Sequence, residues 1–416
     1  MRTGTKKIHV LGRKEKIPSG ILSIGRYYAL DGSLGSEVYV DCVHPHVILI
    51  CGKRGYGKSY TIGVFIEEMA LLDEKLRKNI AIVVIDTLGL FWTTFWPNLK
   101  QKNLLKEWNL IPKNFDIIIF SSEENVERYK SMGIPAEKLI IKTSEMDLYH
   151  WSQLFNLSPT DYESAIIGKA LDEIEEEDYS IDEIIDYLGK EEKIKEEVKL
   201  VVENFLHMAK SWKIFGRRGV EVKDIAMGGK ITVIDLSSLP DELKRIVVSI
   251  ISRKIFYERI NERKSYEEAI INKLNYNINN KFPLTWLIMD EAHIFLPAEK
   301  CVSKNVLVRQ WLRQGRHLGL SMILATQRPS SLEKEVFSHA DIIISHRLTS
   351  HEDLEALNNI RATYMNVKIE EAIKKIGEEK GTAIIIDDTS ESIHVIKIRP
   401  RLSWHGGDEI TLMEKK

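Results

Sequence analysis

Short apolar runs rich in isoleucine and valine recur along the chain, with room for a helix between most of them. Several show no alternation of apolar and polar residues, which is typical of strands covered by helices on both faces. The strand candidates are HVILIC (46–51), IAIVVID (80–86), DIIIF (116–120), ITVIDL (231–236), TWLIMD (285–290), SMILAT (321–326) and DIIISH (341–346).

Helical stretches separate these runs. SYTIGVFIEEMALLDEKLRK (59–78) follows the first run, and DELKRIVVSIISRKIFYERI (241–260) follows the fourth. Strands and helices that alternate at this spacing indicate a mostly parallel α/β sheet with helices on both sides. The sequence therefore predicts the α/β fold class.

Two segments interrupt the alternation. Residues 147–218 contain no strand candidate but carry helix-start signals, among them the capping-box spacing from Ser180 to Glu183. We interpret this segment as a helical subdomain inserted into the sheet. Residues 261–282 are polar and rich in asparagine, which favours a surface excursion before the next strand.

The two ends of the chain predict β structure. Residues 1–44 hold turn signals around short alternating stretches, and they predict a β element with too few strands to stand alone. GTAIIIDD and SIHVIKIRPR, near the other end, predict a closing hairpin. The predicted division is an N-terminal β element (1–44), an α/β core (45–146 and 219–400), the inserted helical subdomain (147–218) and a C-terminal tail (401–416).

Composition narrows the function classes. The 59 basic and 61 acidic residues nearly cancel, so any DNA contact must come from a local patch or from surfaces assembled in an oligomer. The three cysteines show no CxxC spacing, which disfavours a disulfide framework and a zinc site. Since no apolar run reaches the roughly 18 residues of a membrane span, we expect a cytoplasmic protein without a membrane segment.

A glycine-rich loop follows the first strand candidate. CGKRGYGKSY (51–60) contains the pattern G-x-x-x-x-G-K-[ST] between a strand and a helix, which is the setting of a phosphate-binding loop. Backbone N–H groups of such a loop surround phosphate oxygens, and the helix N-terminus adds its positive end. The alternative, a glycine-rich turn that binds nothing, is disfavoured by this setting. The candidate ATP-binding residues are Gly52, Gly55, Tyr56, Gly57, Lys58, Ser59 and Tyr60.

Within this loop two side chains have predicted roles. Lys58 is expected to reach the β- and γ-phosphates, and Ser59 to ligate Mg²⁺. WLIMDEAH supplies the acids that hydrolysis needs, because a buried strand ends there in Asp290 and Glu291. Asp290 is expected to hold the Mg²⁺ shell through water, and Glu291 to act as general base on the attacking water. Paired acids at a strand end can also be helix-capping charges, the alternative reading.

The next strand candidate ends in Gln327, a polar residue suited to sensing the γ-phosphate or orienting water; the alternative is a loop amide without a role. Upstream, Arg309, Arg313 and Arg316 are spaced as one helical face. Such a basic stripe is usually solvated, but here it adjoins the candidate site strands. One of these arginines, Arg316 by preference, is a candidate arginine finger for a neighbouring subunit's site.

Taken together, HPHVILICGKRGYGKSYTIG, WLIMDEAHIFLP, LRQGRHLGLSMILATQRPSSL and VIKIRPR resemble the HerA group of the HerA/FtsK/VirB4 P-loop ATPases over roughly residues 20–400. The resemblance implies a RecA-like core of the additional-strand class. It also implies that the protein assembles as a homo-oligomer in the form of a hexameric ring. It also implies ATP hydrolysis with Mg²⁺ to move double-stranded DNA, often beside a NurA-type nuclease. The implied site residues are Lys58, Ser59, Asp290, Glu291 and Gln327, with Arg316 acting across the subunit boundary.

The chain departs from this family at three places. Its N-terminal β element is shorter than the family's barrel, which predicts a reduced version. His46 stands where some relatives carry an arginine, and it is either a weaker, pH-dependent substitute or a structural histidine. IDTLGLFW (85–92) resembles the family's aspartate-glycine strand end only loosely, and Asp86 in it either orients the site or caps a turn.

Two function classes remain open at this point. In the first, the protein is a DNA-translocating motor whose basic loops contact the DNA backbone. In the second, it is a VirB4-like or defence-associated P-loop ATPase that acts on protein or on a regulatory complex. The balanced charge counts mildly against the first class. The sequence shows no membrane anchor or added effector domain that would favour the second.

Overall fold

Thirteen strands of the described residues form one sheet in the computed structural model, which describes residues 9–15, 17–29, 31–273, 282–361 and 379–407. The sheet order is β1-β3-β2-β15-β14-β13-β4-β12-β11-β5-β10-β6-β7, and β8 pairs separately with β9. The strands are β1 (Val10–Leu11), β2 (Ile21–Tyr28), β3 (Leu34–Asp41), β4 (Val47–Cys51), β5 (Ile80–Asp86), β6 (Ile117–Ser121), β7 (Ala136–Lys138), β8 (Ile141–Lys142), β9 (Phe215–Gly216), β10 (Ile231–Asp235), β11 (Leu284–Met289), β12 (Leu320–Thr326), β13 (Ile342–Ser345), β14 (Thr382–Asp387) and β15 (Ser392–Ile398).

Helices cover both faces of this sheet. The α-helices are α1 (Lys58–Ala70), α2 (Glu74–Arg77), α3 (Lys102–Glu107), α4 (Glu123–Ser131), α5 (Leu148–Leu154), α6 (Tyr162–Glu173), α7 (Ile181–Lys190), α8 (Glu196–Ser211), α9 (Val222–Ile225), α10 (Asp241–Ile271), α11 (Val302–Val306), α12 (Arg313–Leu318), α13 (Lys334–His339) and α14 (His351–Arg361). A π-helical turn, Leu307–Leu312, joins α11 to α12.

The central strands are parallel, and all seven strand candidates are confirmed. From β13 to β7, every neighbouring pair of strands is parallel. Strand β12 lies between β4, which precedes the glycine loop, and β11, which precedes the acidic pair. This interposed strand confirms the predicted RecA-like, additional-strand fold class.

Successive side chains of the central strands enter two different apolar cores. In β5, Ile82 and Val84 pack on the α1 side together with Phe65, whereas Val83 packs on the α10 side together with Val247. Because both faces are covered, the strand is apolar at every position up to Asp86. This burial explains why the strand runs show no alternation.

Antiparallel strands extend the same sheet at one side. The predicted closing hairpin is confirmed, since β14 pairs with β15 in antiparallel register. Strand β15 in turn pairs with β2, so the N-terminal strands join the sheet of the core. The division of the chain into separate units stays a prediction.

The segment between β7 and β10 is mostly helical, with α5 to α8 between Leu148 and Ser211. The expectation of a surface excursion over 261–282 is wrong in its first part, because α10 continues to Ile271. Residues 261–271 are mostly good helix formers, and the asparagine-rich stretch begins only at Asn272. The rest of the predicted excursion, residues 274–281, lies outside the described residues.

Across the described parts of the chain, none of the helices combines the length and apolarity that a bilayer crossing demands.

Candidate active site

The glycine loop connects the end of β4 to the start of α1. Helix α1 begins at Lys58, and Gly57 before it has a φ of 114°, a backbone conformation that favours glycine. A Cβ atom on Gly52 would lie 2.7 Å from the Cβ of His346. The loop is therefore shaped by glycines at both ends, and it leads directly into the positive end of a helix.

His346 supports this loop from the neighbouring strand, a role that the sequence analysis missed. It follows β13 and is fully buried, with Nδ1 3.0 Å from the carbonyl of Thr382 and Nε2 2.9 Å from Oγ1 of Thr61 on α1. Burial lowers the pKa of His346 to about 4, so the ring is neutral and its Nδ1–H donates to Thr382. The available signal was a polar residue that ends an apolar strand, as at Asp290 and Gln327.

Lys58 is buried at the mouth of the loop. Its Nζ donates to the carbonyl of Lys53 over a long 3.4 Å. Burial lowers the pKa of Lys58, and the nearby carboxylates of Asp290 and Glu291 oppose that shift. The ammonium group therefore lies in a buried position between the loop and the carboxylates of Asp290 and Glu291. An anionic ligand bound there would stabilise its charged form.

The acidic strand end meets the loop through Ser59 and Asp290. Asp290 is buried, and its Oδ2 accepts a hydrogen bond of 2.5 Å from the Ser59 hydroxyl, while its Oδ1 accepts from the N–H of Glu291. Burial raises the pKa of Asp290, and the bond from Ser59 and the charge of Lys58 oppose this. Sequence reasoning predicted that these two residues share a site, and the structure brings them into contact.

A Mg²⁺ ion would find hard oxygen ligands at this contact. Ser59 and Asp290 offer a hydroxyl and a carboxylate, which suit Mg²⁺ when water and phosphate oxygens complete the shell. Over the ranges that the structure describes, no group of three or more histidine, cysteine or acidic side chains forms a metal cage. The residues thus fit a metal that shares its coordination with a bound nucleotide.

Glu291 has a left-handed backbone, with a φ of 50°, which is uncommon for a residue with a side chain. Its Oε2 is buried and has no hydrogen-bond partner among the described residues. Burial, and then the neighbouring charge of Asp290, raise the pKa of Glu291. The strained backbone and the unsatisfied oxygen both indicate a carboxylate held for a ligand or a water.

Gln327 follows the last residue of β12 and is partly buried. In the sheet register Thr326 lies beside Cys51, so Gln327 and Gly52 leave the sheet at the same edge. This placement suits the predicted sensor role, which stays a prediction. Arg328 is exposed, and its charge acts on both Glu291 and His293.

The three arginines do not share one regular helical face, because the π-helical turn carries Arg309 while Arg313 and Arg316 lie on α12. Arg313 forms a two-pronged ion pair with Glu335. Arg316 is exposed near the start of β12, and the seven residues of that strand place it about 20 Å along the sheet from the loop edge. Arg316 is therefore too far away to contact the loop of its own chain, and its predicted role as an arginine finger stays a prediction.

His46 does not join the site. It precedes β4 and so lies at the opposite end of that strand from the loop, about 15 Å away. Its Nδ1 is 2.5 Å from Asp341 and its Nε2 is 3.0 Å from Asp41. Burial alone would lower the pKa of His46, but the bonds to these carboxylates raise it to about 9. His46 is therefore a structural cation.

Asp86 caps a turn beside the site. Its carboxylate accepts hydrogen bonds from the N–H groups of Leu88 and Phe91. It ends β5 between Asp235 of β10 and Asp290 after β11. Burial, and then Asp235, raise the pKa of Asp86 to about 7. The structure thus supports the capping interpretation of Asp86.

The two loop tyrosines have different surroundings. The Tyr56 ring lies 5.6 Å from the Arg347 guanidinium. The Tyr60 hydroxyl donates to Gln101 and accepts from the N–H of Arg401, which fixes that side chain to the C-terminal segment. The predicted roles of both tyrosines in ATP binding stay predictions.

A buried ionic cluster joins α1 to the C-terminal segment. The sequence analysis did not predict this cluster. Glu67 is fully buried and pairs with Arg399 at 2.9 Å and with Arg401 at 3.2 Å. Gly63 leaves the space for Arg401, because a Cβ there would lie 2.4 Å from the guanidinium carbon. The segment that begins at Arg399 thus holds the helix that carries Lys58 and Ser59.

A phosphate-binding loop that faces an acidic strand end across one interposed strand is the arrangement of RecA-like P-loop ATPases, and this chain is one of them. The model of a family described as "Helicase HerA, central domain" matches residues 22–255, more than half of the chain. The chain therefore belongs to the HerA family. A second family model, "Zonular occludens toxin (Zot)", matches residues 249–365.

Curated relatives agree with this assignment. The chain is 23% identical over 409 residues to "DNA double-strand break repair helicase HerA" of Sulfurisphaera tokodaii, covering 95% of this chain and 72% of that protein. It is also 23% identical over 441 residues to the probable HerA of Methanocaldococcus jannaschii, covering 95% and 79%. In fold, it is similar to VirB4 of Thermoanaerobacter pseudethanolicus, with a TM-score of 0.55 and 17% identity over 92% of this chain and 97% of that one.

Proposed function

We propose that the protein is an ATP-driven motor that assembles as a hexameric ring and moves double-stranded DNA. The observation that carries the proposal is the Ser59–Asp290 contact beside Lys58 and Glu291, in a chain of the HerA family. The names of its relatives, DNA double-strand break repair helicases, support DNA as the substrate. A cytoplasmic location would follow from that substrate.

The chain's own residues divide the chemistry of ATP hydrolysis among them. Lys58 and the N–H groups of the loop hold the phosphates, and Ser59 and Asp290 would hold Mg²⁺, which would neutralise phosphate charge when bound. Glu291 orients the attacking water and accepts its proton. Gln327 senses the γ-phosphate at the end of β12. Arg316 stabilises transition-state charge in the site of the adjoining subunit. Its distance from the loop of its own chain favours this role over one within the same subunit.

The proposed domain roles follow the predicted division. Residues 45–146 and 219–400 form the motor core, residues 1–44 form a reduced barrel, and residues 401–416 form a C-terminal tail whose first residue, Arg401, is fixed to α1 by its ion pair with Glu67. The helical insert, 147–218, provides the surface for a partner, which we infer to be a nuclease of the NurA type. A variant without residues 160–210 that keeps the ATP turnover of the parent should lose binding to the purified nuclease; retained binding would contradict this role.

ATP turnover with and without duplex DNA, at low and moderate salt, tests the proposed function. Duplex DNA should stimulate turnover severalfold at low salt, and the stimulation should fall steeply as salt rises, because phosphate contacts release counterions. The Lys58→Ala protein is the control for contaminating ATPase. Robust turnover that DNA does not change at either salt concentration would contradict a DNA motor and would favour a protein-remodelling ATPase.

A further inference from the structure

His293 lies between Glu291, the proposed general base, and the end of β12. It sits in a short 3-10 helix, Ala292–Ile294, directly after Glu291. Its Nδ1 is 3.4 Å from Oε2 of Glu291 and 3.3 Å from Oγ1 of Thr326, the last residue of β12. Both side chains of this pair are largely buried, with 14% of the Glu291 side chain and 19% of the His293 side chain exposed. One ring nitrogen thus faces two strand ends that both belong to the candidate site.

The oxygen that faces His293 is the one without a partner. Oε2 of Glu291 is buried and accepts no hydrogen bond from the described residues, although a buried carboxylate oxygen is costly to leave unsatisfied. The Nδ1 of His293 lies 3.4 Å from this oxygen, and a turn of the ring that aligns its N–H with Oε2 would let it donate to Glu291.

Thr326 competes for the same nitrogen. Its Oγ1 accepts a hydrogen bond of 3.0 Å from the N–H of Arg328, which ties the hydroxyl to the turn that contains Gln327. The Nδ1 atom carries either a proton or a lone pair. With a proton it can donate to Glu291, and with a lone pair it can accept from the Thr326 hydroxyl. The two states are mutually exclusive whenever the hydroxyl is the donor.

We propose that His293 is a positioning residue that holds Glu291 for hydrolysis and exchanges this contact with Thr326, so that the strand end carrying Gln327 controls the catalytic carboxylate. This inference rests on the proposed ATP hydrolysis. The exchange is balanced, because water takes the proton that leaves Nδ1 and supplies one to Nε2, so the imidazole stays neutral. A movement of Gln327 on binding of the γ-phosphate would pull on Thr326 and release the histidine toward Glu291.

Substitutions at position 293 separate positioning from mere packing. The amide nitrogen of asparagine branches from Cγ as Nδ1 does in histidine, so His293→Asn keeps a donor where the proposal needs one. His293→Ala removes the donor, and His293→Gln moves it to the position of Nε2. His207→Ala, at an exposed histidine of α8, is the matched control for the loss of an imidazole.

Steady-state turnover and ATP binding are measured on the full chain. His293→Ala and His293→Gln should lower kcat on the order of tenfold to a hundredfold, because the catalytic carboxylate loses its orientation. Binding of a slowly hydrolysed ATP analogue should change by no more than about twofold. His293→Asn should recover most of the lost kcat, and His207→Ala should match the parent.

A double-mutant cycle with Glu291→Gln tests whether His293 acts through Glu291. In that background, adding His293→Ala should change the residual turnover by less than about twofold, since the carboxylate is already absent. Equal kcat in the parent and His293→Ala proteins, no rescue by asparagine, or a fully additive cycle would overturn this inference alone. A parent protein that neither binds nor hydrolyses ATP would overturn the proposed function as well.

Discussion

The hydroxyl of Ser59 donates a 2.5 Å hydrogen bond to Oδ2 of Asp290, a residue 231 positions further along the chain. Ser59 lies in the helix that follows β4, and Asp290 directly follows β11. Strand β12 lies between these two strands in the sheet. Their contact joins the phosphate-binding loop to the acidic strand end, and it brings together a hydroxyl and a carboxylate, the two ligands that we propose for a nucleotide-bound Mg²⁺.

Ser59→Ala should therefore weaken the effect of Mg²⁺ on ATP binding. In the parent, removal of Mg²⁺ with EDTA should lower ATP affinity on the order of tenfold or more, and in the variant it should lower affinity much less. Equilibrium binding of a fluorescent ATP analogue measures both. Ser131→Ala, at an exposed serine, should behave as the parent. An unchanged Mg²⁺ effect in Ser59→Ala would contradict the assigned metal role.

Glu291→Gln should separate binding from hydrolysis. The amide keeps the size of the side chain but cannot accept the proton of the attacking water, so turnover should fall at least about a hundredfold. Affinity for ATP should be kept or increased. Single-turnover hydrolysis and equilibrium binding are the measurements, with Glu299→Gln at an exposed site as the control. Normal turnover in Glu291→Gln would exclude this residue as the general base.

His46 predicts a pH dependence of stability that does not involve the active site. Its pKa is raised to about 9 in the folded protein by its contacts with Asp341 and Asp41. A raised folded-state pKa gives stability that is complete below the unfolded value, about 6.5, and that is lost as the pH rises through about 9. The free energy of unfolding of the parent should fall over this window.

His46→Gln removes this contribution. It should destabilise the protein by about 3 kcal/mol at pH 6, because the buried Asp41 loses one of its cations, and it should flatten the dependence between pH 6.5 and 9. Urea unfolding at several pH values measures the effect, and the exposed His207→Gln is the control. An equal slope in the parent and in His46→Gln would show that another group titrates over this range.

Glu67→Gln should destabilise the helix that carries the loop. The change leaves two buried guanidinium groups, Arg399 and Arg401, without their shared carboxylate, which should cost about 3–5 kcal/mol. The urea midpoint should fall accordingly. Glu74→Gln, whose ion pair with Lys78 is exposed, should change it very little. Equal midpoints for the two variants would contradict the anchoring role of Glu67.

Local sequence patterns were sufficient to predict the strands and to place most of the candidate site residues at one edge of the sheet. Runs without alternation predict doubly covered strands, and polar residues that end such runs, such as Asp290 and Gln327, fall at one edge of a parallel sheet. Lys58 and Ser59 follow from the loop pattern and its strand-loop-helix setting. The length of α10 was misjudged because the polar composition of residues 261–271 outweighed their helix propensity.

Contacts between distant residues could not be predicted in the same way. His346 meets Thr61 across 285 positions, and Arg399 meets Glu67 across 332. Each pairing depends on the order of strands in the sheet, which no local pattern specifies. The position of His46 could not be predicted from a local pattern either. Only the direction of β4 in the sheet shows that His46 lies at the end of the strand opposite the loop. The π-helical turn before Arg313 likewise altered a face that the regular spacing had predicted.

The rate of ATP hydrolysis by Lys58→Ala, set beside Lys53→Ala, tests the central claim most directly. Both lysines belong to the loop, but Lys58 is buried at its mouth and Lys53 is exposed. The account predicts that Lys58→Ala loses at least about a hundredfold in turnover and binds ATP weakly, whereas Lys53→Ala stays within a few fold of the parent. Turnover by Lys58→Ala at the rate of the parent would contradict it.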